Sequence, residues 1–145
     1  MIKKLEPTER GHYPYHIEFP TRWADNDSYG HVNNVVYYSF FDSAVNRHLI
    51  ERGVLDIASS SIVGLVIETR CTFFSSMGFP DRVTVGLRVV HLGNSSVRYE
   101  IAIFRNEQNL ASALGEFVHV YVDRATNRPV PIPAAVRDVL TSLKT

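Results

Sequence analysis

Residues 25 to 34, Asp-Asn-Asp-Ser-Tyr-Gly-His-Val-Asn-Asn, crowd two carboxylates, a glycine, a histidine and several amides directly before an apolar run. Short polar side chains there are natural helix caps, because Asp, Ser and Asn accept hydrogen bonds from first-turn amides. The same physics can serve a reaction. The first N–H groups of a helix point outward and carry about half a positive charge. A substrate carbonyl placed on them would have its developing oxyanion stabilised, by ~3 kcal/mol per donor. Gly30 lets a backbone approach closely, and a carboxylate just upstream can attack the carbonyl or activate water beside it. Carboxylate, glycine and helix start together suit acyl transfer. At this level capping and catalysis both stand.

Other candidates are weaker. His12, His16, His48, His91 and His119 are scattered without ligand spacing, so no metal site is expected. Ser59-Ser60-Ser61 and Ser75-Ser76 lack the strand–elbow–helix setting of a serine hydrolase. Cys71 alternates within an apolar strand, where a small buried residue is the ordinary outcome. Arg70, Arg88, Arg98, Arg105 and Arg124 sit in or beside strands and are the cations available to a phosphate-bearing ligand. The glycine-containing loop at 92–96 is a further possible contact, with a hairpin turn as its plain alternative.

The elements that must position this chemistry follow from periodicity. "HIEFPT" (16–21) alternates with Ile17 and Phe19 on one face and ends on a proline that suits an edge strand. Residues 34 to about 52 predict a long helix. Ser39, Asp42, Ser43, Asn46, Arg47 and Glu51 form one narrow polar stripe, and almost everything else is apolar, so other structure must cover most of its sides. At 1.5 Å per residue it spans roughly 28 Å, and Gly53 is a natural stop. Four strands follow: 64–76; 81–92 through Val83, Val85, Leu87 and Val89; 96–104 through Val97, Tyr99, Ile101 and Ile103; and 110–123 through Leu114, Val118, Val120 and Val122. Short joints make the last three an antiparallel meander. "PIPAAVRDVLTSL" predicts a short closing helix on Val136, Val139, Leu140 and Leu143. The order fits a sheet wound around one helix. A cystatin-like roll shares it, whereas a ferredoxin-like split needs another helix between strands.

Composition bounds the rest. The chain has 145 residues, read as one domain over 1–145, with 45% hydrophobic residues and fifteen basic against fifteen acidic side chains. No Lys/Arg cluster suggests nucleic acid. A near-neutral chain gains little charge repulsion, so surface hidden in an oligomer is expected. The lone Cys71 excludes an intrachain disulfide and suits a reducing, cytoplasmic setting. "MIKKLEPTERGHYP" has no apolar stretch behind its lysines, so no secretory signal is expected, and its end should be loosely held. No window approaches the roughly 18 apolar residues of a membrane span.

"RWADNDSYGHVNNVVYYSFFDSA" closely resembles the signature of hotdog-fold acyl-CoA thioesterases of the 4-hydroxybenzoyl-CoA thioesterase type, an Asp-x-Asp-x-x-Gly followed by an aromatic-bearing helix. "HVNN" is also similar to the plant acyl-ACP thioesterases of the same superfamily. The resemblance extends over the long helix, the meander and the closing "PIP". It implies an α+β hotdog fold, a five-stranded antiparallel sheet wrapped around one central helix. It implies hydrolysis of an acyl-CoA to acid and CoA without a cofactor or metal. It places the catalytic carboxylate at Asp27, oxyanion donors at the amides near Gly30 and His31, and Asp25 as a brace for the loop. His31 could contact the carbonyl, position water or orient Asp27. Tyr29, Val32, Asn33, Tyr37 and Phe41 are expected against substrate, although Asn33 and Asn34 also read as helix-start holders.

Where the acyl-ACP thioesterases place a catalytic asparagine this chain has Tyr29, so their asparagine–histidine scheme does not carry over intact, and the family's Phe-Glu followed by Arg reads Phe41-Asp42 with no arginine behind. The resemblance further implies a homodimer or homotetramer with active sites shared between copies. The rivals are a non-catalytic acyl-thioester-binding hotdog domain, an acyl-ACP thioesterase, and a dehydratase or hydratase, which would use His and Asp on other spacing.

Overall fold

A computed structural model describes residues 5–145. Its elements run β1 Tyr15–Pro20, α1 Asn34–Glu51, β2 Ile62–Phe73, β3 Arg82–Leu92, β4 Ser96–Arg105, β5 Ala113–Asp123 and α2 Ala134–Ser142, with short 3-10 turns at Arg10–His12 and Trp23–Asp25. The five strands form one sheet in the order β1-β3-β4-β5-β2, and every neighbouring pair is antiparallel. β3, β4 and β5 make the expected meander, and β1 is the expected edge. The sheet wraps α1, as the polar stripe predicts.

The helix-facing side of the sheet is built from alternate residues. Val83, Val85, Leu87 and Val89 of β3, and Val97, Tyr99, Ile101 and Ile103 of β4, are at most 1% exposed. Against them α1 buries Tyr37, Phe40, Phe41, Ala44, Val45, His48 and Leu49. Burying each large apolar side chain stabilises by roughly 1.5–3 kcal/mol. The helix packs tightly on the sheet at Gly115, where a Cβ would lie 2.4 Å from the Phe41 ring. That contact seats the middle of α1 on β5. Ser39, Asp42, Ser43, Arg47 and Glu51 stay exposed, as expected, but so do Val35 and Ile50 at the two ends. The helix is therefore covered along its middle and bare at its extremities.

Three expectations need correction. β2 runs Ile62–Phe73, not 64–76, because the Phe74 and Ser75 amides both turn to the Ser112 carbonyl and the ladder stops there. On β5 the helix-facing set is Ala113, Phe117 and Tyr121, not Leu114, Val118, Val120 and Val122. Both faces of β5 are apolar because the opposite face has its own cover, a smaller cluster in which Tyr13 packs with Ala102, Phe104, Ala111 and Leu114. Alternation cannot select a face when both are dry. The same cluster overturns the loose N-terminal end for the part that is described. Glu9 bridges Leu110, the Arg10 amide donates to the Asn109 carbonyl at 3.1 Å, and Tyr13 is buried. Residues 1–4 lie outside the described residues. α2 forms where expected and buries Val136, Val139 and Leu140, and the Leu143 carbonyl behind it accepts from the Val89 amide at 2.9 Å. No helix among the described residues is long and apolar enough to cross a membrane.

Candidate active site

The polar stretch folds into a loop clamped on two sides. Asp25 is 2% exposed and accepts from the Arg22 amide at 2.7 Å and from its guanidinium at 2.8 and 3.1 Å. Its own carbonyl accepts from the Asn33 amide at 2.8 Å. The expected brace is thus seen in its bonds: Asp25 ties the two ends of the loop together. On the other side the loop is held by the 77–79 segment. The Val32 amide donates to Met77 O at 2.8 Å, and the Phe79 amide to Asn26 Oδ1 at 3.0 Å. Gly30 has φ +79°, the left-handed region, and a Cβ on facing Gly78 would stand 2.7 Å from the Gly30 carbonyl. A side chain at Gly30 would strain this turn.

Within that frame Asp27 is half-buried. Its Oδ1 accepts from the Tyr29 amide at 2.9 Å and from the His31 amide at 3.3 Å, while Oδ2 has no protein partner among the described residues. The Gly30 amide donates to the Asp27 carbonyl at 3.2 Å. The donors predicted for an oxyanion near Gly30 and His31 are consequently engaged inside the loop, two of them in an Asx-type turn around Asp27. The first helical amide, Asn34, donates to no protein group among the described residues. Asn33 Oδ1 accepts from the Val35 amide at 3.1 Å, so Asn33 is the helix cap.

Asp27 opens onto a cleft of about 350 Å³ lined by His31, Val32, Asn34, Tyr37, Phe73, Phe74, Ser75 and Ser76. Tyr37 and Phe73 meet edge to face, with centroids 4.9 Å apart, and form its apolar wall. Burial pushes the Tyr37 hydroxyl up to about 12, so it remains a neutral O–H. A second recess of about 330 Å³ shares His31 and Ser76 and continues past Gly78 and Pro80 to Asp81 and Arg105. Burial alone would raise the Asp81 carboxyl, but the Gly78 amide, Asn106 and Arg105 outweigh it and hold it below its usual value.

Of the predicted site residues, the fold therefore brings Asp27, His31, Val32 and Tyr37 to one cleft. Tyr29 is 83% exposed and does not line it, and Phe41 is fully buried in the core against Gly115. Phe73 through Ser76 are cleft residues that sequence reasoning missed, having been absorbed into an overlong strand. The signal was the break in alternation at Phe73-Phe74-Ser75-Ser76 before Gly78 and Pro80. The arginines also differ from expectation. Arg70, Arg88, Arg98 and Arg105 each lie within salt-bridge distance of a carboxylate: Glu116, Glu100, Glu68 with Glu116, and Asp81. Arg124 instead donates to the Ile57 and Ala58 carbonyls. Burial pushes the Cys71 thiol up to about 12, so it is no nucleophile at neutral pH. Among the described residues no three His, Cys, Asp or Glu side chains converge as metal ligands.

Comparison with known proteins agrees with this architecture. The chain is 52% identical to the PA5185 protein of Pseudomonas aeruginosa, with a TM-score of 0.93 over 96% of this chain and 97% of that one. It is 30% identical to a thioesterase from Thermus thermophilus solved with coenzyme A and Zn, with a TM-score of 0.77 over 92% and 96% of the two chains. A 1,4-dihydroxy-2-naphthoyl-CoA thioesterase from Synechocystis shares the fold at 17% identity, with a TM-score of 0.81 over 89% and 96%. No curated protein matches the sequence. Residues 21–140, from just after β1 into the closing helix, match the thioesterase-like superfamily, and the chain, folded as a hotdog, belongs to that family.

Proposed function

We propose that this protein hydrolyses an acyl-CoA thioester to a free acid and CoA, with Asp27 as the reacting carboxylate. The observation that carries the reading is the posture of Asp27. One oxygen is pinned by two loop amides, and the other is left unbonded at the lip of an apolar-walled cleft in front of α1. In one route Oδ2 attacks the thioester carbon, CoA leaves as the thiolate, and water then cleaves the mixed anhydride. In the other, Asp27 takes a proton from water as that water attacks. His31 borders the same cleft and is placed to orient water or the carbonyl. The Asn34 amide and the positive end of α1 are the donors available to the oxyanion. The acyl group packs against Tyr37 and Phe73.

The protein acts as a homodimer in this reading. β2 is a long edge strand with one side unpaired, and its Leu65, Val66, Ile67 and Phe73 are 43–61% exposed. Such an edge invites pairing with a second chain. A two-fold axis through the middle of β2 would set the start of this strand in one copy beside its end in the other, and so beside the Asp27 cleft. Sedimentation equilibrium checks the dimer, and a Val66→Pro variant should shift it toward monomer.

The engaged amides of Gly30 and His31 favour one rival, a domain that binds acyl thioesters without cleaving them. Steady CoA release from a panel of short, long and aryl acyl-CoAs separates the two. Wild-type protein should turn over at least one member, and Asp27→Asn should lose at least ~100-fold. Binding without turnover in the wild type would establish the rival.

A further inference from the structure

Beside the polar loop two large aromatic side chains stand open to solvent. Trp23 is 75% exposed and Phe79 43%. Their rings meet edge to face, with centroids 6.0 Å apart. A single apolar side chain on a surface needs no explanation. A tryptophan this bare, set against a second ring, leaves indole surface ready for a planar ligand. The pair is also held in place. Trp23 opens the 3-10 turn Trp23–Asp25, which is closed by the Arg22 amide donating to the Asp25 carboxylate at 2.7 Å. The Phe79 amide donates to Asn26 Oδ1 at 3.0 Å. Both rings therefore ride on the framework that positions Asp27.

The second recess joins this pair to the candidate active site. It begins at His31 and Ser76, which also border the Asp27 cleft, runs past Gly78, and reaches Phe79, Pro80, Asp81 and Arg105. Phe79 thus both lines the recess and meets Trp23. Arg105 supplies the recess with a guanidinium. It faces Asp81 through Nε at 2.8 Å and is 40% exposed, and that contact uses one of its five N–H donors. The Asp81 carboxylate is already occupied, since it also accepts from the Gly78 amide at 2.9 Å and from Asn106 Nδ2 at 3.0 Å. The other donors of Arg105 are free to meet an anion.

These features match one molecule part by part. From its sulfur, CoA carries a flexible amide arm, then a pyrophosphate, then an adenosine. From Asp27, the protein offers an open recess, then a guanidinium and an aromatic shelf. A planar guanidinium suits phosphate oxygens. An exposed indole suits adenine, because every base has a π-face to stack.

We propose that Trp23 and Phe79 seat the adenine of CoA, with the pantetheine arm laid in the recess from His31 to Phe79 and the pyrophosphate beside Arg105. The proposal rests on the acyl-CoA reading for its ligand but not on hydrolysis, since a domain that only binds acyl-CoA would use the same seat.

Trp23 is the only tryptophan in the sequence, so its fluorescence reports on the seat directly. CoA, 3′-phospho-ADP and pantetheine are titrated into the full chain while that emission is followed. Calorimetry measures CoA affinity for wild type and Trp23→Ala. CoA and 3′-phospho-ADP should quench saturably, and pantetheine should not. Trp23→Ala should bind CoA about fivefold more weakly or worse, the scale of one base–aromatic stack. Failure of CoA to bind, binding without a change in emission, equal quenching by pantetheine, or wild-type affinity in Trp23→Ala each overturns the proposal, even where acyl-CoA is hydrolysed. Emission that varies with protein concentration but not with CoA would mark a contact between two copies and likewise overturn it. Quenching by 3′-phospho-ADP without CoA release from any thioester would support the seat while defeating the hydrolytic reading. If Trp23→Ala fails to fold, the wild-type titrations decide by themselves.

Discussion

The two ends of α1 carry the same kinds of group in opposite environments. At the start, Asp27 and His31 sit on a loop open to solvent, and their side chains border a wide cleft. At the end, His119 faces the helix from a strand, nearly inaccessible, beside a smaller cavity. A charge can be kept at the first place because backbone amides, water and the helix dipole solvate it. At the second it cannot, because burial penalises the protonated ring with nothing opposite to offset the cost. Polar residues of equal reactivity on paper thus divide into a pair facing solvent and a ring that burial keeps uncharged. The Phe41–Gly115 contact seats the helix between them.

The largest expected effect comes from Asp27→Asn. The amide oxygen can still accept from the Tyr29 and His31 N–H groups, so the loop should keep its shape and the melting temperature should hardly move. Turnover, measured as CoA release, should drop by at least ~100-fold. A variant with wild-type turnover would remove the reacting group from this end of the helix and with it half of the contrast.

Next is the pH dependence of the buried end. The folded-state pKa of His119 is about 4 against an ordinary 6.5, so the unfolded chain binds the extra proton first as pH falls. Stability is fully present above about pH 6.5 and lost progressively toward pH 4, by about 3 kcal/mol at the lower limit. Carboxylates titrate in the same interval, so the measurement is a difference: urea unfolding of wild type and His119→Phe at pH 7 and pH 4. The variant should lose about 3 kcal/mol less between those two conditions. Parallel curves would show that the ring is solvated, and the two ends would then be alike.

Gly115→Ala tests the seat between them. The added Cβ meets the Phe41 ring at 2.4 Å, and overpacking of this kind costs about 1–3 kcal/mol. Because α1 would be pushed off β5, activity at its start should fall along with stability. A neutral effect on unfolding would mean that the helix floats more freely than the packing indicates. The smallest change is Asn33→Ala, which removes the cap on the Val35 amide. It should cost ~1 kcal/mol with little effect on KM. A large rise in KM with unchanged stability would instead return Asn33 to substrate contact, as the resemblance implied.

How far the sequence carried can be judged residue by residue. The helix was legible because its polar stripe repeats at the helical period, and β3 and β4 were legible because polar residues alternate with the buried ones over most of their length, even though Ala102 and Phe104 on the far face of β4 are buried too. β5 was misassigned by face because Val118 and Val122 are as buried as Phe117 and Tyr121. Val118 and Val122 belong to the sheet's other face, and nothing local says which side a helix will take. The polar loop announced itself by composition, whereas Asp25 and Asp27 were separated as brace and candidate acid only by the resemblance. Phe73 to Ser76 were not, since the cleft that unites them with Asp27 closes only when β2 ends beside the loop.

The sequence by itself determined the period of each element, the dryness of α1 and the crowd of short polar groups at its head, because these depend on neighbours within a few positions along the chain. Tertiary structure decided which loop amides are already satisfied, which arginines are neutralised by carboxylates, and that Phe41 belongs to the core rather than the cleft. It also turned a histidine in an ordinary strand pattern into an uncharged ring at the edge of a cavity. Burial and partnership depend on residues dozens of positions apart, and only folding brings those together.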